Sequence, residues 1–269
     1  MADLKEKRKV RSDRSKGRTT SSRRSEDKDL CWGRNAVISM LETVPSACKK
    51  IYMATGIQIS FRDDLLRLAG RSAVEVTEAN GSYLDEITGG EKHQGIVANI
   101  DLPKPRDLSQ FSPEKGPSLL LAMDHVKDPH NFGAMIRTAE AVGALGVIYP
   151  SRRSVGVTGT VIKTSAGAAF RVPLYEVTNL VRSMEILKKE GYWVVGLDHE
   201  ASRDIWCTSL PDKLVLVVGS EGEGLSRLSS ERCDDLRRIP MIGETGSLNA
   251  SVAAALGMFE WRRLNPLME

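Results

Sequence analysis

Residues 214–226 read Leu-Val-Leu-Val-Val-Gly-Ser-Glu-Gly-Glu-Gly-Leu-Ser. Five consecutive apolar residues ending at a glycine describe a strand buried on both faces, the kind found in parallel sheets covered by helices. Gly219, Gly222 and Gly224 follow that strand and precede a predicted helix over 225–232. Glycines there let backbone N–H groups come close to a ligand. The spacing is GxxGxG, so the GxGxxG signature of a dinucleotide fold is absent, and no GK[ST] follows to make a Walker A loop. Glu221 and Glu223 would repel a pyrophosphate, so the loop suits a ligand that is not strongly anionic.

The same alternation extends in both directions. Predicted strands at 118–123, 146–149, 172–174, 193–197 and 236–239 are interleaved with predicted helices at 132–142, 160–165, 180–190 and 249–264. This pattern specifies an α/β domain over 118–269 with a parallel sheet. Upstream, helices at 34–43, 62–69 and 82–87 alternate with strands at 49–53, 74–77 and 95–100, giving a small α/β/α domain over 29–100. Residues 101–117 carry four prolines and no periodicity, so they read as a linker.

The net charge of +3 is unevenly distributed. Residues 1–28 hold 11 basic and 5 acidic residues, whereas the rest of the chain holds 27 basic and 30 acidic ones. The first segment has almost nothing apolar to bury, so it is expected to be a disordered basic tail suited to phosphate backbones. No apolar run approaches the roughly 18–20 residues of a membrane span, and the N-terminus lacks the apolar core of a secretory signal. Cys31, Cys48, Cys207 and Cys233 form no CxxC pair and read as reduced thiols of a cytoplasmic protein.

In open α/β sheets ligands sit beyond the carboxyl ends of strands, so the segments after 118–123 and 236–239 matter most. The first contains Asp128-Pro-His-Asn131, with Asn131 a candidate helix N-cap, and then Arg137 on the helix. By helix pattern alone, Arg137 reads as a snorkelling surface cation. His125 and His130 lack a third ligand at metal-binding spacing, so no metal is expected. The second segment is a Gly/Ser/Thr loop feeding an alanine-rich helix capped near Asn249. Alone, Ser247 and Asn249 read as turn and cap residues, and no GxSxG elbow marks a hydrolase nucleophile.

Taken in order, N-F-G-A-M-I-R-T-A (131–139), V-V-G-S-E-G-E-G-L (217–225) and I-P-M-x6-S-L-N-A-S-V-A-A-A (239–255) resemble the three motifs of the SpoU (TrmH-type) RNA 2′-O-ribose methyltransferases. In the first domain, G-R-N-A-V (33–37) and H-Q-G-I (93–96) are similar to the ribosomal-protein-like RNA-binding domain of the ribosomal guanosine branch. The resemblance runs from residue 31 to the C-terminus.

It implies a SPOUT-type fold whose catalytic domain contains a deep trefoil knot, which topology rules alone would have excluded. It also implies a homodimer built on the closing helix, an S-adenosylmethionine pocket in the knot, and methyl transfer to a ribose 2′-hydroxyl of RNA. By motif position, Arg137 is the catalytic cation that stabilises developing alkoxide charge. Asn131 orients Arg137 or the nucleotide. Glu221 fixes the network and could hold Arg137, while Ser247 and Asn249 hold substrate or cofactor. Gly219, Ile239 and Leu248 meet the cofactor through their backbones, with Met241 nearby. The expected target is a guanosine of large-subunit ribosomal RNA, with transfer RNA second. Two alternatives compete: a non-catalytic ribosome-assembly factor that kept the fold, and a nicotinamide dehydrogenase, which the glycine spacing opposes.

Overall fold

The computed structural model describes residues 29–207, 209–244 and 246–266. The expected basic tail lies outside them.

The first domain has strand β1 (Leu30–Trp32), helix α1 (Arg34–Thr43), strand β2 (Cys48–Ala54), helix α2 (Ile59–Arg71), strand β3 (Glu75–Ala79), helix α3 (Gly81–Thr88) and strand β4 (Ile96–Ile100). Its sheet runs β1-β4-β2-β3, with only the β2–β3 pair parallel. The three-residue β1 was not legible in the sequence because so short a run has no measurable period.

The second domain begins with β5 (Ser118–Met123), α4 (Pro129–Ala141), β6 (Gly146–Pro150), α5 (Gly159–Thr164) and β7 (Leu174–Val177). It continues through α6 (Leu180–Lys189), β8 (Trp193–Leu197), the two-residue β9 (Arg203–Asp204) and β10 (Lys213–Val218). It closes with α7 (Arg227–Arg232), β11 (Asp235–Arg238) and α8 (Ala250–Leu264). Its seven strands lie in the order β7-β6-β5-β10-β8-β11-β9, and every pair is parallel.

Alternate residues of the central strands serve opposite cores. Leu119, Leu121, Leu214 and Leu216 face the side packed with Phe132 and Ile136 of α4 and Ala254, Met258 and Trp261 of α8. Leu120, Ala122, Val215 and Val217 face Leu180, Met184 and Leu187 of α6. This two-sided burial is the physical reason the strands read as unbroken apolar runs.

The proline-rich segment is pinned rather than free. The Phe111 ring packs edge-on against Tyr175 and Tyr192, and Arg106 bridges to Tyr175. The first domain also packs against the second. Ser39 of α1 donates to the Gly167 carbonyl at 3.3 Å, and Arg171 donates to Ser39 Oγ and, at 2.8 Å, to Glu140 of α4. Lys163 reaches Glu91 at 2.8 Å, and its hydrogen bond holds that carboxyl below the usual range.

Candidate active site

Asp128, not Asn131, caps α4. The Asp128 side chain accepts from the His130 N–H at 3.0 Å, and Pro129 takes the first helical turn, where a missing N–H costs nothing. Asn131 is thereby freed from capping, and its buried side chain points at the glycine loop.

Three residues from three distant segments close a ring of hydrogen bonds. Asn131 Nδ2 donates to Glu221 Oε2 at 3.0 Å. Asn249 Nδ2 donates to Asn131 Oδ1 at 2.9 Å and to Glu221 Oε1 at 3.0 Å. Asn249 is also the N-cap of α8, its Oδ1 accepting from Ser251 N at 2.9 Å and Val252 N at 3.3 Å. Asn249 therefore caps α8 with its Oδ1 while its Nδ2 ties the helix start to Asn131 and Glu221.

The glycine loop is shaped by its own crossing. Ser220 and Gly224 exchange backbone hydrogen bonds of 3.0 Å, and Gly222, at φ 84°, makes the turn between them. A Cβ on Gly219 would collide with the Gly224 backbone, so only glycine lets the loop fold back. Glu221 and Glu223 are carried outward on its tip and are exposed.

A cavity of about 620 Å³ opens beyond the carboxyl ends of β8, β10 and β11. Gly219, Ile239, Met241 and Leu248 line it, as do Glu221 and Ser247. The sequence reading missed a second wall, Leu197, Asp198, His199 and Glu200 after β8, and also missed Arg237 at the end of β11. The rule that ligands bind beyond strand ends pointed to β8, but no glycine loop drew attention to that strand.

Arg137 stands apart from this assembly. It lies outside the cavity lining, its side chain is exposed, and it has no hydrogen-bond or ion-pair partner among the described residues. Six residues at roughly 100° each carry it to a different side of α4 from Asn131. Glu221 spends both oxygens on the two asparagines and does not hold Arg137. Two further cations of the second domain, Lys163 and Arg171, are committed to the contact with the first.

The cavity fits a nucleoside-sized, largely cationic ligand. Its volume is that of a small-molecule site, and it combines apolar walls with Asp198, Glu200, Glu221 and Glu223. Those carboxylates suit a sulfonium and an ammonium group. Among the described residues no cluster of His, Cys, Asp and Glu could hold a metal ion, and no helix is long and apolar enough to cross a membrane.

A parallel α/β sheet with a cofactor-sized cavity beyond the carboxyl ends of three of its strands is joined here to a smaller α/β domain. Residues 118–259 match the SpoU rRNA Methylase family, and residues 30–106 match the substrate-binding domain of RNA 2′-O ribose methyltransferases; the chain belongs to this family. It is similar to the 23S rRNA (guanosine-2′-O-)-methyltransferase RlmB of Xylella fastidiosa, with 41% identity over 88% of this chain and 96% of that one. The protein of the same name from Escherichia coli is 38% identical over 86% of this chain and 97% of its own length. Among solved structures, the SpoU methyltransferase AviRb of Streptomyces viridochromogenes superposes with a TM-score of 0.73 at 25% identity, covering 88% of this chain and 89% of that one. AviRb has also been solved in complex with AdoMet.

Proposed function

We propose that the protein transfers the methyl group of S-adenosylmethionine to the 2′-hydroxyl of a guanosine in large-subunit ribosomal RNA. The observation that carries this reading is the ring of Asn131, Glu221 and Asn249 at the edge of a cavity that suits the cofactor. The names of the similar proteins support the choice of ribosomal RNA.

The cofactor supplies an electrophilic methyl carbon on a sulfonium. The protein must hold the ribose hydroxyl in line with that carbon and manage its proton. Arg137 lies on the helix that also bears Asn131, has no partner among the described residues, and stabilises charge developing on the 2′-oxygen. Arginine stays protonated in proteins, so its contribution is electrostatic. Ser247 and the backbones of Gly219, Ile239 and Leu248 hold the cofactor, with Met241 at the rim. The segments that would form the trefoil knot, 217–224, 239–243 and 246–249, supply much of the cavity wall, which supports placing the knot there.

The reading includes a cytoplasmic homodimer. Val252, Leu256 and Phe259 form an exposed apolar stripe on α8, at spacings that put them on one face. The N-terminal domain presents the RNA. Mapping 2′-O-methylated riboses in RNA from a deletion strain tests the substrate. One mark lost from large-subunit ribosomal RNA is the expected result, and a lost transfer-RNA mark would overturn it.

A further inference from the structure

A second, smaller pocket lies on the other side of the glycine loop. It measures about 170 Å³ and opens beyond the carboxyl ends of β6, β5 and β10, neighbours in the sheet. Ser220, Glu223, Gly224 and Leu225 line both this pocket and the larger cavity. Lys127, after β5, and Arg153, after β6, supply its cations. The Arg153 side chain has no hydrogen-bond or ion-pair partner among the described residues. Lys127 meets Glu223 at 3.7 Å with both side chains largely exposed, a contact that contributes little. The two cation-bearing loops are braced against each other. Val155 N–H donates to the Val126 carbonyl at 2.9 Å, and Ser154 Oγ donates to the same carbonyl at 3.0 Å. His125 and Arg153, which both line the pocket, hold left-handed backbone at φ 58° and 59°. A residue with a Cβ keeps that conformation only where its surroundings enforce it, and such residues cluster at ligand sites.

The pocket suits a small anion. Its volume falls below the roughly 300–1,000 Å³ of sites for whole small molecules. Asp124, the acid behind it, is buried and already engaged: Oδ2 accepts from the Ser226 N–H at 2.7 Å, and Oδ1 lies 2.6 Å from His125 Nδ1. Among the lining residues Glu223 is then the one acid, set against two cations. Residues 29–269 are net acidic, so an anionic strand must be held by cations placed locally. We propose that this pocket receives one backbone phosphate of the RNA, beside the ribose that is methylated, on Lys127 and Arg153. In this arrangement the strand crosses the glycine loop that the two pockets share. The assignment rests on the methyltransferase reading and adds to it a contact that sets the register of the strand without reading its bases.

Binding and methylation of an unmodified transcript of large-subunit ribosomal RNA test this on the full chain, with wild-type protein and the double variant Lys127→Gln, Arg153→Gln. The double variant should bind the transcript about 10-fold more weakly, the lower range of a charge-assisted hydrogen bond. Its slope of log K against log salt should fall by about 0.7, the share of one single-strand phosphate. Its affinity for S-adenosylmethionine by calorimetry should be unchanged, because neither cation lines the larger cavity. Partial ethylation of the RNA phosphates should reveal one linkage beside the methylated nucleotide whose modification blocks the wild-type enzyme and leaves the residual activity of the variant unaffected. Unchanged RNA affinity and salt slope in the variant would overturn the assignment. So would weaker RNA binding with the wild-type ethylation pattern, since the cations would then act only as a diffuse field. A loss of cofactor affinity in place of RNA affinity would overturn it too, by giving the cations to the cofactor. Should the double variant fail to fold in a thermal melt, Lys127→Gln alone is read by the same criteria, since that side chain is 63% exposed. Wild-type protein that binds S-adenosylmethionine but neither binds nor methylates the transcript would overturn the ribosomal RNA reading, and the assignment with it.

Discussion

Asn249 Nδ2 lies 2.9 Å from Asn131 Oδ1, joining the start of α8 to the start of α4 across 118 residues of sequence. The other end of the Asn249 amide caps α8, so the two functions can be separated by substitution. Asn249→Asp keeps the capping oxygen, removes both donated hydrogen bonds and places a carboxylate against Glu221. We expect methylation to fall by at least about 100-fold, with a small change in melting temperature. Asn249→Ala should lose the cap as well, at a cost of about 1 kcal/mol. Methyl transfer and thermal denaturation measured on both variants check this. An active Asn249→Asp enzyme would remove the ring from the catalytic machinery.

Arg137→Ala should abolish methyl transfer without loss of stability. The side chain is exposed and makes no hydrogen bond among the described residues, so its removal leaves no group unpaired. Arg137→Lys keeps the charge but not the planar fork, and should recover only a small part of the rate. Single-turnover kinetics at saturating cofactor, with melting curves alongside, check this. Full activity in Arg137→Ala would exclude the catalytic role.

These two residues show what the sequence could and could not convey. The alternation of apolar runs with amphipathic segments exposed the parallel sheet, because strands buried on both faces must be apolar throughout. The boundaries of α1, β5 and β8 follow directly from that pattern. β1 and β9 were invisible because three and two residues carry no period. The motifs brought Asn131, Glu221 and Asn249 onto one list, but their ring depends on Asp128 taking the cap and leaving Asn131 free, a competition the sequence does not rank. Arg237 was hidden by its neighbour: two consecutive arginines look like a charged edge, and only the pleat sends one inward.

Burial raises the pKa of three thiols. It pushes Cys48 up to about 11, Cys233 up to about 12, and Cys31 higher still. Cys207 is exposed. A thiol-alkylating reagent at pH 8 should therefore label native protein at Cys207 alone and the other three only after denaturation. The linkage has a definite sign. In the unfolded chain these thiols ionise from about pH 8.5, while in the folded protein they stay protonated. Their contribution to stability is thus complete below that pH and is lost as the pH rises toward the folded values. Mass spectrometry and denaturant melts at pH 8 and pH 10 check both statements. Rapid native labelling of Cys31 or Cys48 would contradict the packing of the first domain.

Phe259→Asp should convert the proposed dimer to a monomer. Phe259 is 53% exposed, in line with Val252 and Leu256, whereas Ala254, Met258 and Trp261 anchor the opposite face of α8 in the core. A charge on the exposed stripe should break association and leave the helix docked. Light scattering should report half the wild-type mass, with an unchanged circular dichroism spectrum. Wild-type protein that runs as a monomer at tens of micromolar would remove the stripe from this role.

Deleting residues 1–28 should flatten the salt dependence of RNA binding without changing the methylated nucleotide. The deleted segment holds 11 basic and 5 acidic residues, and what remains is net acidic. If its net charge of six pairs with phosphates, the slope of log K against log salt should fall by about 4 on single-stranded RNA. The largest loss of affinity should then appear at low salt. Base recognition depends on loop shape and unstacked bases, which a charged arm does not read, so the site of modification should stay fixed. Binding titrations at several salt concentrations, with the methylated position mapped for both proteins, check the two halves of this prediction separately. Equal slopes would show that the arm does not engage RNA, and a shifted methylation site would show that it selects the target as well as attracting it.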